Sequence, residues 1–129
     1  MEYPKFIFKD IYWSFSVGEI ATKEKFVSEI EAYYKDVSGK KIPLKWDEIV
    51  FDFPRLELQY VKYTNDEINE PYELVVADNG LNFSAKELLY KTHKVGIKLQ
   101  NDDNCYFEGL QYSGEENEGV PVYFLLTGS

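Results

Sequence analysis

The chain has one cysteine, one histidine and one arginine among its 129 residues. Each scarcity excludes something. A lone Cys105 rules out an internal disulfide, which fits a reducing compartment. A lone His93 leaves no second imidazole for a histidine-based metal site. A lone Arg55, within 14 basic residues against 23 acidic ones and a net charge of −9, leaves no basic groove for nucleic-acid phosphates or an anionic membrane. No apolar run approaches the roughly 18 residues of a membrane span. The opening Met1-Glu2-Tyr3-Pro4 has neither a basic nor a long apolar stretch, so no secretory signal is expected there and the expected location is cytoplasmic. Nucleotide-loop, dinucleotide and zinc-protease motifs are missing.

What is present is aromatic. Phe, Trp and Tyr make up 17% of the residues, in a chain whose hydrophobic fraction of 44% is ordinary for a globular protein. An acidic disordered tail would lack those rings. The length fits one domain spanning 1–129. A chain of this size buries enough surface to fold without a disulfide or a metal.

Hydrophobic spacing gives the fold class. Residues 5–17 read as strand, interrupted near Lys9-Asp10. Thr22 caps a helix over 22–37, whose Phe26, Val27, Ile30, Tyr33, Tyr34 and Val37 share one face. Residues 49–77 read as a three-stranded antiparallel meander with an acidic loop before Tyr72. Ser84 and Glu87 form an S-x-x-E capping box, with Phe83 and Leu88 as its hydrophobic staple. They predict a second helix over 84–99, with Gly96 weakening its end; 97–99 reads alternatively as strand. Tyr106–Tyr112 is a strand, 113–119 a loop, and Val120–Leu126 a strand mostly apolar on both faces, hence central or covered. The expectation is an α+β domain. Its antiparallel or mixed sheet has four to six strands, with both helices on one face.

Few residues invite chemistry. His93 falls at the edge of the second helix's apolar stripe, with no partner in sequence, and is expected to be a boundary histidine rather than a general base. Cys105 follows Asn101-Asp102-Asp103-Asn104, and acidic neighbours oppose a thiolate; it reads as a small apolar residue at a strand start. That cluster lacks the ligand spacing of a calcium loop and reads as a turn. With 23 acids some carboxylate pair is inevitable, so none is specific. Catalytic, cofactor and metal residues are all expected to be absent, and the chain is expected not to be an enzyme. The lysines 40, 41 and 45 read as a solvated loop.

Two acidic segments remain. One holds Asp66, Glu67, Glu70 and Glu73, flanked by Tyr63 and Tyr72. The other holds Glu115, Glu116 and Glu118, preceded by Tyr112. Carboxylates there would steer a basic partner, and the tyrosines would anchor it.

The segment Tyr106-Phe107-Glu108-Gly109-Leu110, a short acidic loop, Pro121-Val122-Tyr123-Phe124-Leu125 and a terminal Gly128-Ser129 resembles the end of small bacterial immunity proteins. These are encoded beside polymorphic or contact-dependent growth-inhibition toxins. Ala77-Asp78-Asn79-Gly80, Phe83 and the capped helix add to the likeness, which covers about the last 55 residues. The resemblance implies a protein that masks a cognate toxin domain, one to one, without a cofactor. The acidity points to a cationic toxin such as a nuclease. Two other classes stay open. One is a ligand-binding or adaptor module with an aromatic cleft lined by Trp13, Trp46 and tyrosines; the other is a small hydrolase or isomerase.

Overall fold

A computed structural model describes residues 2–64, 67–98 and 105–128. The fold is α+β. Strands β1 (Phe6–Ile7) and β2 (Trp13–Ser14) come first, then a single 3-10 turn, Phe15–Val17. Helix α1 (Lys23–Ser38) precedes β3 (Ile49–Phe51) and β4 (Arg55–Gln59). A small hairpin, β5 (Lys62–Thr64) with β6 (Glu67–Asn69), leads to β7 (Tyr72–Val76). Then follow β8 (Phe83–Ser84), α2 (Ala85–Gly96), β9 (Tyr106–Asn117) and β10 (Val120–Gly128).

The expected caps form. Thr22 Oγ1 accepts from the Lys25 N–H at 3.1 Å, and Gly39, with φ 74°, closes α1 by donating to the Lys35 carbonyl. The buried face of α1 is Phe26, Ile30 and Tyr34. Ser84 Oγ accepts from the Glu87 N–H at 3.2 Å. The other half of that capping box does not close. Glu87 Oε2 instead accepts from the Asp78 N–H at 2.7 Å and from Lys91 Nζ at 2.8 Å. Lys91 also reaches Asp78 Oδ1 at 2.7 Å. This pairing with Lys91 is the largest influence on Asp78 and holds its carboxyl below the ordinary value. Glu87 thus ties the helix start to the preceding turn. Ser84→Ala removes only the serine half of the cap, and is expected to lower unfolding free energy by about 1 kcal/mol, measurable by chemical denaturation.

Six strands form one mixed sheet. Its order is β1-β9-β10-β4-β7, and β2 also pairs with β9. β10 is central and parallel to β4, and the other pairs are antiparallel. Alternation sends Leu56, Leu58, Val75, Leu110, Tyr123 and Leu125 to one face, where they join Phe26, Ile30, Leu88 and Leu89 in the core. Both helices therefore cover that face.

Four expectations change. The meander over 49–77 forms only in part: β4 and β7 pair antiparallel as expected, but β3 pairs with β8 instead of β4. The loop expected over 113–119 is mostly strand. β9 continues to Asn117 past a register shift opposite Pro121/Tyr123, with Gly114 at φ 85° on the longer side. Glu118 and Gly119, with φ 52° and 80°, make the two-residue turn, whose positive dihedrals match strand twist. Helix α2 stops at Gly96, and Ile97 and Lys98 form a turn rather than a strand. Gly96 also has a packing role: a Cβ there would sit 2.3 Å from the Phe15 ring. The Asn101–Asn104 turn lies outside the described residues.

The fourth change is His93, which is not at a boundary. It is 1% exposed, with the rings of Trp13, Phe15 and Phe26 around it. Trp13 Nε1 donates to His93 Nδ1 at 2.9 Å. An indole nitrogen can only donate, so Nδ1 is the bare acceptor. The proton is then on Nε2, which donates to the Gly18 carbonyl at 2.7 Å. Burial drives the His93 pKa below the ordinary histidine value, against the Gly18 bond and the charge of Glu29. The neutral ring fastens β2, the Gly18 turn and α2 together.

Candidate partner-binding surface

The sheet face away from the helices carries several exposed rings, although Val122 on that side is buried. Strand register lays one row across it. Phe6 pairs with Gln111, Gln111 with Phe124, Phe124 with Gln59, and Gln59 with Tyr72. The row therefore reads Phe-Gln-Phe-Gln-Tyr over five strands, about 19 Å wide at ordinary strand spacing. Phe6 is 45% exposed, Phe124 39% and Tyr72 52%. Leu74 and Val76, next along β7 on the same side, are also exposed. β7 ends the sheet, so this apolar strip also borders an unpaired strand edge. Natural proteins usually blunt such edges, and a clustered apolar patch marks a contact surface.

The acidic segments flank this face from opposite ends. β10 runs parallel to β4. The Glu118–Gly119 turn therefore lies where β4 begins, and the β5–β6 hairpin lies where β4 finishes. Glu67 and Glu70 are exposed at one end, and Glu115, Glu116 and Glu118 at the other. The third side is basic: Lys5 and Lys9 lie over the Phe6 ring at 5.6 and 5.9 Å.

The residues singled out in sequence thus separate. Glu70 gives its carbonyl to Gln59 Nε2 and keeps its carboxylate toward solvent. Tyr72 stands on the open face. Glu73 alternates to the other side and forms an ion pair with Lys98. It also lies beside Tyr60, whose phenol is raised mainly by burial and further by Glu73. Tyr112 packs between Tyr3 and Tyr123, with ring centroids at 5.3 and 5.4 Å. Glu116 accepts from the Tyr3 hydroxyl at 2.8 Å, the largest cause of that phenol's raised pKa. Asp66 lies outside the described residues, and Tyr63 is placed on β5 by its backbone.

Phe6, Phe124, Leu74 and Val76 were read as ordinary strand residues. Alternation separates the two sides of a strand but does not say which side a helix will cover. The available signal was the pairing of polar Gln59 and Gln111 with exposed rings, which needs the register.

Among the described residues no three His, Cys, Asp or Glu side chains form a metal-type group, and no helix is long and apolar enough to cross a membrane. Cys105 is half-buried, with the Ser14 hydroxyl 3.7 Å from its sulfur. Trp13 and Trp46 do not share a cleft: Trp13 floors one beside α1, whereas Trp46 accepts at its carbonyl from the Lys86 N–H at the start of α2. Compared with known proteins, the chain matches no family model, no curated protein and no solved structure.

Proposed function

We propose that this chain is a binding protein of the immunity type, which neutralises a basic toxin domain by stoichiometric masking. The observation that carries this reading is the open sheet face. An exposed Phe-Gln-Phe-Gln-Tyr row is bounded at both strand ends by glutamates. A partner seated there would bury the row as its apolar centre and meet carboxylates at its rim, the usual anatomy of a protein interface. The net charge of −9 favours a cationic partner and speeds its encounter. A nuclease has to attract phosphate, so its active-site surface offers such a patch.

The test is co-expression with a toxin encoded immediately upstream, copurification, and association rates over a salt series. A one-to-one complex is expected. Its association should slow as salt shortens the Debye length to about 8 Å at 0.15 M. Neutralising Asp66, Glu67 and Glu70 as amides, or Glu115, Glu116 and Glu118 as glutamines, should slow low-salt association by roughly tenfold and leave folding intact. If both triple variants match the wild type at every salt, the hairpins are solvated surface and the electrostatic part of the reading fails.

A further inference from the structure

A second concave site lies away from the open face, between α1 and the strands β2 and β9. Its volume is about 440 Å³. Trp13 and Phe107 form its buried floor, and Tyr12, Tyr33 and Tyr106 its walls. Asp10 and Glu108 are exposed at its rim.

The walls are held from behind. Tyr33 meets Trp13 edge-on at 5.4 Å, and Tyr12 stacks on Tyr34 at 5.2 Å. The turn that brings Asp10 to the rim is itself constrained: Phe8 and Asp10 have φ of 61° and 65°. A left-handed conformation is uncommon for a bulky residue such as phenylalanine. Phe8 is kept there by burial and by the Phe107 ring at 6.3 Å. Neither Asp10 nor Glu108 pairs with a cation among the described residues. By contrast, Asp78, Glu87 and Glu73 all do.

We infer that this cleft receives an arginine side chain of the partner protein. A guanidinium is planar, stacks on tyrosine faces, and donates in a fork that suits a carboxylate. The Asp10 carboxylate at the rim, beside an electron-rich aromatic floor, supplies both halves of that recognition, and the Glu108 carboxylate, which lies against Gly128, adds negative charge nearby. A phosphate or carboxylate ligand would be repelled by the same rim. A purely apolar ligand would leave the rim carboxylates poorly solvated and unpaired. The identity of the arginine's source rests on the basic partner proposed above; the cleft's capacity for a guanidinium does not.

The experiment uses the whole protein and two small probes, Nα-acetyl-arginine methyl ester and its neutral citrulline counterpart, followed by amide chemical shifts. The arginine probe should give saturable shifts at residues 10–13, 33–37 and 106–108, with a dissociation constant on the order of millimolar. Citrulline should bind at least tenfold more weakly. Asp10→Asn with Glu108→Gln should weaken the arginine probe by about tenfold, and Tyr106→Ala by several-fold, while the rest of the spectrum stays put. Asparagine tolerates the left-handed backbone at position 10, so the double variant keeps the turn. Equal shifts from both probes, no saturation, or unchanged affinity in the double variant would overturn the assignment. Those results bear on the cleft alone, because the salt series reads the hairpins.

Discussion

His93→Ala should destabilise the protein by about 3–5 kcal/mol. Two effects add. The substitution empties a ring-sized space among Trp13, Phe15 and Phe26. It also orphans the buried Trp13 N–H and removes the donor to the Gly18 carbonyl. Replacing both partners, Trp13→Phe with His93→Leu, should cost less than the sum of the single changes, since the Trp13 N–H is then no longer left unpaired and only the Gly18 carbonyl loses its donor. Denaturant midpoints of the two single variants and the double variant measure this.

The same ring sets a pH dependence whose sign is fixed. Its folded pKa lies below the ordinary 6.5 because burial disfavours the charged form. Above about pH 6.5 both folded and unfolded chains hold a neutral ring, and the stabilisation is complete. Below it the unfolded chain binds a proton first. Stability then falls with pH until the folded ring also protonates, which would put a second hydrogen against the Trp13 N–H. The chain has one histidine, so a stability slope between pH 5 and 6.5 belongs to this residue. It should vanish in the double variant. A flat wild-type profile through that window would contradict the buried neutral tautomer.

His93 also shows where sequence reasoning stopped. The spacing of Leu88, Thr92 and Val95 found the stripe of α2, and the Ser84 cap found its start. The stripe reading then assumed a solvent face. α2 buries nine of its residues, Glu87 and His93 among them, because β2, α1 and the 3-10 turn wrap it. Those contacts come from residues about 70–80 positions away, and no local period carries them. Pairing failed for a related reason. β3 looked like the first strand of a meander because β4 follows it closely, yet its partner β8 lies across the β4–β7 hairpin. The acidic segment before Val120 read as loop because glycine and glutamate disfavour strands. One bulge and a tight turn let it stay in the sheet. By contrast, the mostly apolar run of β10 narrowed it to a central or covered strand, and the sheet makes it central. For the candidate site, the acidic composition raised the expectation of a cationic partner but said nothing of where one would sit. The open face exists only once the helices have covered the other one.

The tyrosines flanking the acidic segments should now give opposite results. Tyr72→Ala is expected to leave the unfolding midpoint nearly unchanged, since the ring stands in solvent on an edge strand. If the open face is the contact surface, the ring becomes buried in the complex. An anchor of this kind contributes 2 kcal/mol or more, which is roughly a thirtyfold faster dissociation. The association rate should change little, because uncharged anchors act after encounter. Tyr112→Ala should behave in reverse. Its ring packs on Tyr3 and Tyr123, and Tyr123 is fully buried and donates to the Pro4 carbonyl. Truncating Tyr112 should therefore lower stability by about 2–4 kcal/mol. Whatever variant remains folded should bind the partner with the wild-type dissociation rate. Phe124→Ala gives an independent check on the same face, with Tyr72-like behaviour expected. Dissociation rates by surface immobilisation and thermal midpoints on the same preparations separate the two roles. Wild-type dissociation from both Tyr72→Ala and Phe124→Ala, with the partner still bound one to one, would move the interface off the open face.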